Sequence, residues 1–156
     1  MRPARRLASV SVNPDLAGRR YELPEPYLVG REHVRSFAKA VLATSPAHLD
    51  VAAARAAGYP DLVAPHTFPA VLQDAGMQLF LADSGIELSH IVHGEESFEY
   101  VRPIVAGDEL SATLEIASVK MLGSNAMITA ETAVRDAAGE LVVTGGATLV
   151  VRGDAA

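Results

Sequence analysis

Five histidines and no cysteine set the chemistry open to this 156-residue chain. Without a thiol there is no Cys nucleophile, no thiolate zinc site, no iron–sulfur cluster and no disulfide. The histidines are His33, His48, His66, His90 and His93. His90 and His93 are the one close pair, and at that spacing an extended strand turns them to opposite faces. They cannot then share a metal, so no metal and no other cofactor is expected. Ser45 and Ser97 belong to no Ser/His/Asp pattern. What remains is proton transfer and binding by single groups. His48 can serve as a proton acceptor or hold a backbone carbonyl. His66 precedes a long apolar run. There it can contact a substrate or close a pocket, and a helix N-terminus favours its neutral form. Asp74 can attack a thioester or activate water, or it can be a polar face at a subunit seam. Gly145-Gly146 precedes no helix, which argues against a phosphate loop and for a bulge or a close backbone approach.

Composition narrows the partners. A chain of this length should bury roughly 68–70% of its unfolded surface as one domain. Apolar residues are 49% and charged residues 21%, a globular balance. There is no tryptophan, aromatics are 5% and the net charge is −6, so stacking on bases and docking on phosphates are both disfavoured. Residues 1–20 carry five arginines against Asp15, and the remainder carries 8 basic and 18 acidic residues. The basic start is too short and too polar to be a signal peptide, and no run approaches a membrane span. A cytoplasmic protein is expected, with neither nucleic acid nor membrane as partner. Residues 1–16 read as a flexible basic leader, 17–152 as the domain and 153–156 as a tail.

The elements that position these groups come in two textures. Tyr21 to Tyr27 holds Pro24 and Pro26 and must be extended. After Gly30, the spacing of Val34, Phe37, Ala38, Val41 and Leu42 predicts a short helix, with His33 on its polar side. Asp50 can cap a second short helix, Val51 to Ala57, that Gly58 ends. Thr67 is the candidate cap of the longest helix, which runs to about Asp83 and about 25 Å. Phe68, Val71, Leu72, Ala75 and Leu79 form its apolar side, with Gln73, Asp74 and Gln78 off it. Beyond Gly85 the pattern is extended: Ser89–Arg102, Glu109–Met121, Asn125–Arg135 and Leu141–Val151, read as four strands joined by hairpins. Helices followed by an antiparallel meander give an α+β fold, and one long helix wrapped by such a sheet is a single hotdog.

Four motifs carry a resemblance. Val29-Gly30-Arg31-Glu32, Ser45-Pro46-Ala47-His48, Gly58-Tyr59 through Leu62-Val63-Ala64-Pro65-His66-Thr67-Phe68, and Phe98 through Asp108 occur in that order. Over residues 17–152 the chain resembles the MaoC-like (R)-specific hydratases and dehydratases. It is most similar to the (3R)-hydroxyacyl-ACP dehydratase subunits of mycobacteria and streptomycetes, with their FAS1-like dehydratase domain.

The resemblance implies a reaction on an acyl-ACP or acyl-CoA thioester in fatty-acid or polyketide elongation. Dehydration takes a proton from C2 and delivers one to the departing 3-hydroxyl. The family motif reads approximately Gly-Asp-x-Asn-Pro-x-His, its Asp and His being the working pair. Laid on this chain, Pro46 and His48 match, Ser45 stands at the Asn position and Ala43 replaces the Asp. No acidic residue lies between Glu32 and Asp50 to restore it. The resemblance therefore implies a dyad-deficient subunit that shapes the acyl channel beside a dyad-bearing hotdog partner, as a heterodimer. A homodimer, an enzyme by itself (a weak dehydratase using His48 or a thioesterase using Asp74) and a non-enzymatic acyl-thioester-binding protein are the alternatives. The site residues are then His48 as a residual catalytic group, with Ser45, Val63, His66 and Thr67 against the substrate. The Gln/Asp-bearing face of the long helix and the segment His90–Tyr100 are the expected seam.

Overall fold

The computed structural model describes residues 12–153. The long helix α3, Ala70–Ser84, lies against one sheet formed by β1 (Arg20–Glu22), β2 (Tyr27–Leu28), β3 (Ile91–Tyr100), β4 (Glu109–Leu122), β5 (Asn125–Asp136) and β6 (Leu141–Val151). Two shorter helices, α1 (Arg31–Ala40) and α2 (Val51–Ala56), precede α3. All pairings are antiparallel, so the α+β hotdog arrangement is present.

The strands form where side chains alternate. Leu110, Ala112, Leu114 and Ile116 of β4 are buried, as are Ala126, Ile128, Ala130, Thr132 and Val134 of β5. These rows make the floor under α3. The sheet order is β1-β4-β5-β6-β3, with β2 also on β4. This corrects the expectation of four strands in hairpin succession. β3 does not neighbour β4; it pairs with β6 at the far edge, where Phe98 lies opposite Gly145.

Two glycines let the helix sit low. A Cβ on Gly76 would come 2.9 Å from that of Leu114, and one on Gly145 would come 3.1 Å from Gln73 Oε1 and 3.3 Å from the Phe98 ring. The close approach expected at Gly145 is therefore real, and Gly146 repeats it against Ser97 Oγ at 2.8 Å. The same gap corrects the expected helix face. Leu72, Gln73, Gly76 and Phe80 are buried while Leu79 is 37% exposed. Gln73 turns inward because the sheet beneath it has no side chain.

Other boundaries also shift. Thr67 does not cap α3: the N-cap is Pro69, preceded by tight turns in which Phe68 N–H donates to Pro65 O and Ala70 N–H to Thr67 O. α1 ends at Ala40, leaving Val41 and Leu42 outside it and exposed. Asp50 does cap α2, its Oδ1 accepting from Ala53 N–H at 2.7 Å. His90 ends a 3-10 turn, Leu88–His90, and only His93 is in β3, so the strand argument does not apply to that pair. Residues 1–11 of the expected leader lie outside the described residues. Its last part is not loose: Val12 and Leu16 are buried against the β4–β5 end of the core, with Pro14–Leu16 in a 3-10 turn capped by Asn13.

Candidate functional site

A cleft of about 550 Å³ opens beside the start of α3. Three segments distant in sequence wall it. The first is the 3-10 turn Pro46–His48 with Ser45 before it; the second is the loop after α2, from Ala57 to His66; the third is Tyr100–Ile104, just past β3. Backbone bonds tie the walls together. Val63 N–H donates to Ala47 O at 3.1 Å, Ala64 N–H to Ile104 O at 2.8 Å and Ala106 N–H to Leu62 O at 2.8 Å. Ion pairs brace them from outside. Arg31 of α1 holds Asp61 with two bonds, of 2.9 and 2.6 Å, and Asp61 Oδ1 also accepts Leu62 N–H. Arg102 reaches Asp108 at 2.8 Å and Asp136 at 3.2 Å, and Asp108 accepts Val105 N–H as well. The Arg31 guanidinium lowers the Asp61 carboxyl from its ordinary 3.8 to about 2.

Inside the cleft the polar groups are Ser45, His48, Tyr59, His66, Tyr100 and Arg102, set among Ala47, Val63, Ala64, Val101, Pro103 and Ile104. His48 is half-buried, and its Nδ1 lies 2.7 Å from the Val63 carbonyl. A carbonyl only accepts, so Nδ1 carries the proton. The neutral ring then keeps its lone pair on Nε2, the tautomer a proton acceptor needs. Tyr100 donates to the His66 backbone carbonyl at 2.8 Å, and its ring meets the His66 imidazole edge-on. Burial raises the Tyr100 pKa, which holds the phenol protonated as a donor.

Among the described residues no carboxylate lines the cleft. Ala43 is fixed by its N–H, which donates to Ala38 O at 2.8 Å, and a methyl group transfers no proton. Leu42, at the glycine position of the resembled motif, has φ +56° although it is not glycine, and it is 84% exposed. The turn retains a glycine-like backbone while its acid is missing. Asp50 is occupied as a helix cap.

Of the sequence candidates, Ser45, His48, Val63 and His66 meet around this one cleft, and Thr67 is not among its lining residues. Asp74 is elsewhere. It is exposed, accepts from Gln78 at 3.3 Å, and borders a separate groove of about 290 Å³ with Gln73, His93 and Glu96. Sequence reasoning missed Tyr59 and Tyr100–Ile104 as lining. Their signal was present in two of the quoted motifs, but only the isolated Val63–Val105 bridge brings those motifs together.

A family model described as "FAS1-like, dehydratase domain region" matches residues 15–145. A curated relative named "UPF0336 protein", from Clavibacter michiganensis, is 59% identical over 145 residues, which is 92% of this chain and 97% of the relative. Among solved structures, a chain of the C-terminally truncated HadBC (3R-hydroxyacyl-ACP dehydratase) complex from Mycobacterium tuberculosis superposes with a TM-score of 0.80. It is 32% identical, over 87% of this chain and 97% of that one. A structure titled "MaoC-like dehydratase" gives a TM-score of 0.79 at 39% identity, over 87% of this chain and 42% of that one.

Proposed function

Because the chain belongs to the FAS1-like dehydratase domain family, as a MaoC-like hydratase/dehydratase hotdog domain, we propose that it is the channel-forming subunit of a (3R)-3-hydroxyacyl-thioester dehydratase. On this reading it works beside a hotdog partner that carries the intact Asp/His pair, on an acyl-ACP or acyl-CoA of fatty-acid or polyketide elongation in the cytoplasm. One observation carries the reading: among the described residues the cleft keeps His48 poised on the Val63 carbonyl yet contains no carboxylate. A single imidazole can accept the C2 proton, but a second group is needed to protonate the departing hydroxyl.

The remaining lining suits binding. The apolar walls fit an acyl chain, and the one arginine or lysine among the described lining residues, Arg102, is already paired with two aspartates. At the start of α3 the N–H groups of Phe68 and of Ala70 to Gln73 are taken up by carbonyls of Pro65, Thr67, Phe68 and Pro69. On this reading a thioester carbonyl is met just before the helix, at His66, which lines the cleft; Thr67, which does not line it, drops out as a direct contact. That the similar M. tuberculosis chain is part of a complex named HadBC supports a second subunit.

The test is to assay hydration of a crotonyl thioester by the isolated chain, by the chain with a dyad-bearing hotdog partner, and by His48→Ala in that complex. The isolated chain should be at least about 10²-fold slower than the complex. His48→Ala in the complex should raise KM more than it lowers kcat, since without a carboxylate the ring lines the channel rather than shuttling a proton. An isolated chain as fast as the complex would overturn the proposal.

A further inference from the structure

Among the described residues β3 ends the sheet, and its ten residues have only β6 as a neighbour. Long unpaired edges are templates for another strand, and proteins control what pairs there with charge and bulges. This edge has both. A register shift between His93 and Glu95 marks a bulge, and the strand carries Glu95, Glu96 and Glu99 with no lysine or arginine. Glu95 and Glu99 lie opposite Thr148 and Thr144 on the outer face; His93 and Glu96 lie opposite Leu149 and Ala147 on the helix side.

The helix side adds to the acidity. Asp74 of α3 borders the same groove as Glu96 and His93, together with Gln73, Met77, Leu88 and Ile91. His93 Nε2 is 3.1 Å from Glu96 and is the nearest basic group. Among the described residues no lysine or arginine pairs with Asp74, Glu95, Glu96 or Glu99. Two arginines stand beyond the strand's ends, Arg102 past Tyr100 and Arg152 beside His90. Arg102 is tied to Asp108 and Asp136, and Arg152 follows the β6 residue that pairs with Ile91.

Resting on the subunit reading above, we propose that this edge is charge-coded. It rejects a second copy of this chain and takes a different hotdog chain whose matching strand carries lysine or arginine. In an antiparallel self-pair centred on residue 97, Glu95 faces Glu99 of the other copy, and three carboxylates of each copy fall within about 16 Å of the other three. That is within about two Debye lengths at physiological salt, and like charges facing across strands destabilise a pair. A basic strand in the same place gains from every one of those charges. Specificity then comes from repulsion of the wrong partner as much as from attraction of the right one.

The experiment needs only this chain and its variants. Sedimentation velocity is run on the wild type, on Glu95→Gln/Glu99→Gln, and on an equal mixture of wild type with a fluorescently labelled Glu95→Lys/Glu99→Lys copy. Circular dichroism checks that each variant is folded, and the glutamine form preserves side-chain shape. At about 0.01 M salt the glutamine form should self-associate about tenfold more tightly than the wild type. Mixed pairs should exceed the half expected from random pairing. Both differences should collapse near 1 M salt, where the Debye length is only about 3 Å. Random pairing in the mixture, equal self-association of wild type and glutamine form, or an edge that stays unpaired in all three samples would each overturn the proposal. None of these readouts uses turnover, so failure of the dehydratase reading would show in the activity assay alone.

Discussion

Two regions of this molecule treat carboxylates in opposite ways. Around the cleft the acids that brace the walls have an arginine of the same chain: Asp61 has Arg31, and Asp108 and Asp136 share Arg102. Along the groove between α3 and β3 the acids have no such partner among the described residues, and the one basic group beside Glu96 is His93. The electrostatic consequence differs in sign. Arg31 pulls Asp61 down to about 2, whereas burial pushes Glu96 up, against the opposite pull of Gln73 and His93. The cleft wall is therefore complete within one chain, while the groove gains if something basic covers it. The contrast also separates a pair from a site. His93 and Glu96 form the only described His–carboxylate contact, but they are on the open edge; His48 lies in a cleft and lacks an acid.

The largest effect should come from supplying what the cleft lacks. Ala43→Asp places a carboxylate at the position of the resembled motif, on a turn that already holds a left-handed residue at Leu42. A positioned acid contributes about 10²–10⁴-fold, so hydration by the isolated chain should rise by at least about 10²-fold. Leu42→Gly/Ala43→Asp should do at least as well, because glycine adopts that φ without strain. His93→Ala should leave the gained rate unchanged. Rates that stay flat in both designed variants would mean that more than the carboxylate has been lost. A fall with His93→Ala would break the distinction between the two regions.

How much of this was readable from the chain depends on how local the cause is. The four long strands fall within two residues of their expected ends, because alternation and turn residues are local properties. The place of β3 was not readable. Its pairing with β6 rests on Phe98 filling the space above Gly145, a contact between residues 47 positions apart. The same glycine draws Gln73 inward, which no helical periodicity reports. At the site, His48, Ser45 and His66 could be named because a motif holds them. Tyr59 and the run Tyr100–Ile104 could not, because their role exists only once Val63 and Val105 meet. The hydrogen bond from His48 to the Val63 carbonyl is likewise a product of that meeting.

A smaller effect should separate the regions through the helix they flank. Gly76→Ala brings a methyl group to 2.9 Å from the root of the Leu114 side chain, where no rotamer change relieves it. Overpacking of this kind costs about 1–3 kcal/mol, and the better helix propensity of alanine returns about 1 kcal/mol. The net should be a loss of about 1 kcal/mol in denaturant unfolding. The ties between the cleft walls use no residue of α3, so ligand affinity of the folded variant should stay within a factor of about two. Pairing through β3 should weaken, because Ala70, Gln73, Asp74 and Met77 line the groove. If affinity in the cleft falls as much as pairing does, the two regions are not independent.

The smallest effect concerns acid, and here the two carboxylates should pull apart. The folded pKa of Asp61 is below its ordinary 3.8, so the pair with Arg31 stabilises fully above about pH 4, and that stability is lost as pH falls toward 2. The Arg31 side chain is 50% exposed, which keeps the contribution at the upper end for surface pairs, about 1 kcal/mol. Asp61→Asn should therefore lower stability at neutral pH by about that amount and leave it nearly unchanged at pH 2. Glu96 has the opposite sign. Its folded pKa is raised above the ordinary 4.5, so its ionisation opposes folding, and stability from this residue declines as pH rises through that value. Glu96→Gln should then be neutral or slightly stabilising at pH 7 and without effect at pH 3, where the native carboxyl is protonated. Urea titrations decide the matter, at pH 2 and pH 7 for Asp61→Asn and at pH 3 and pH 7 for Glu96→Gln. Adding a base-bearing partner should reverse the Glu96→Gln result, because the ionised carboxylate then has a cation to face and the glutamine does not.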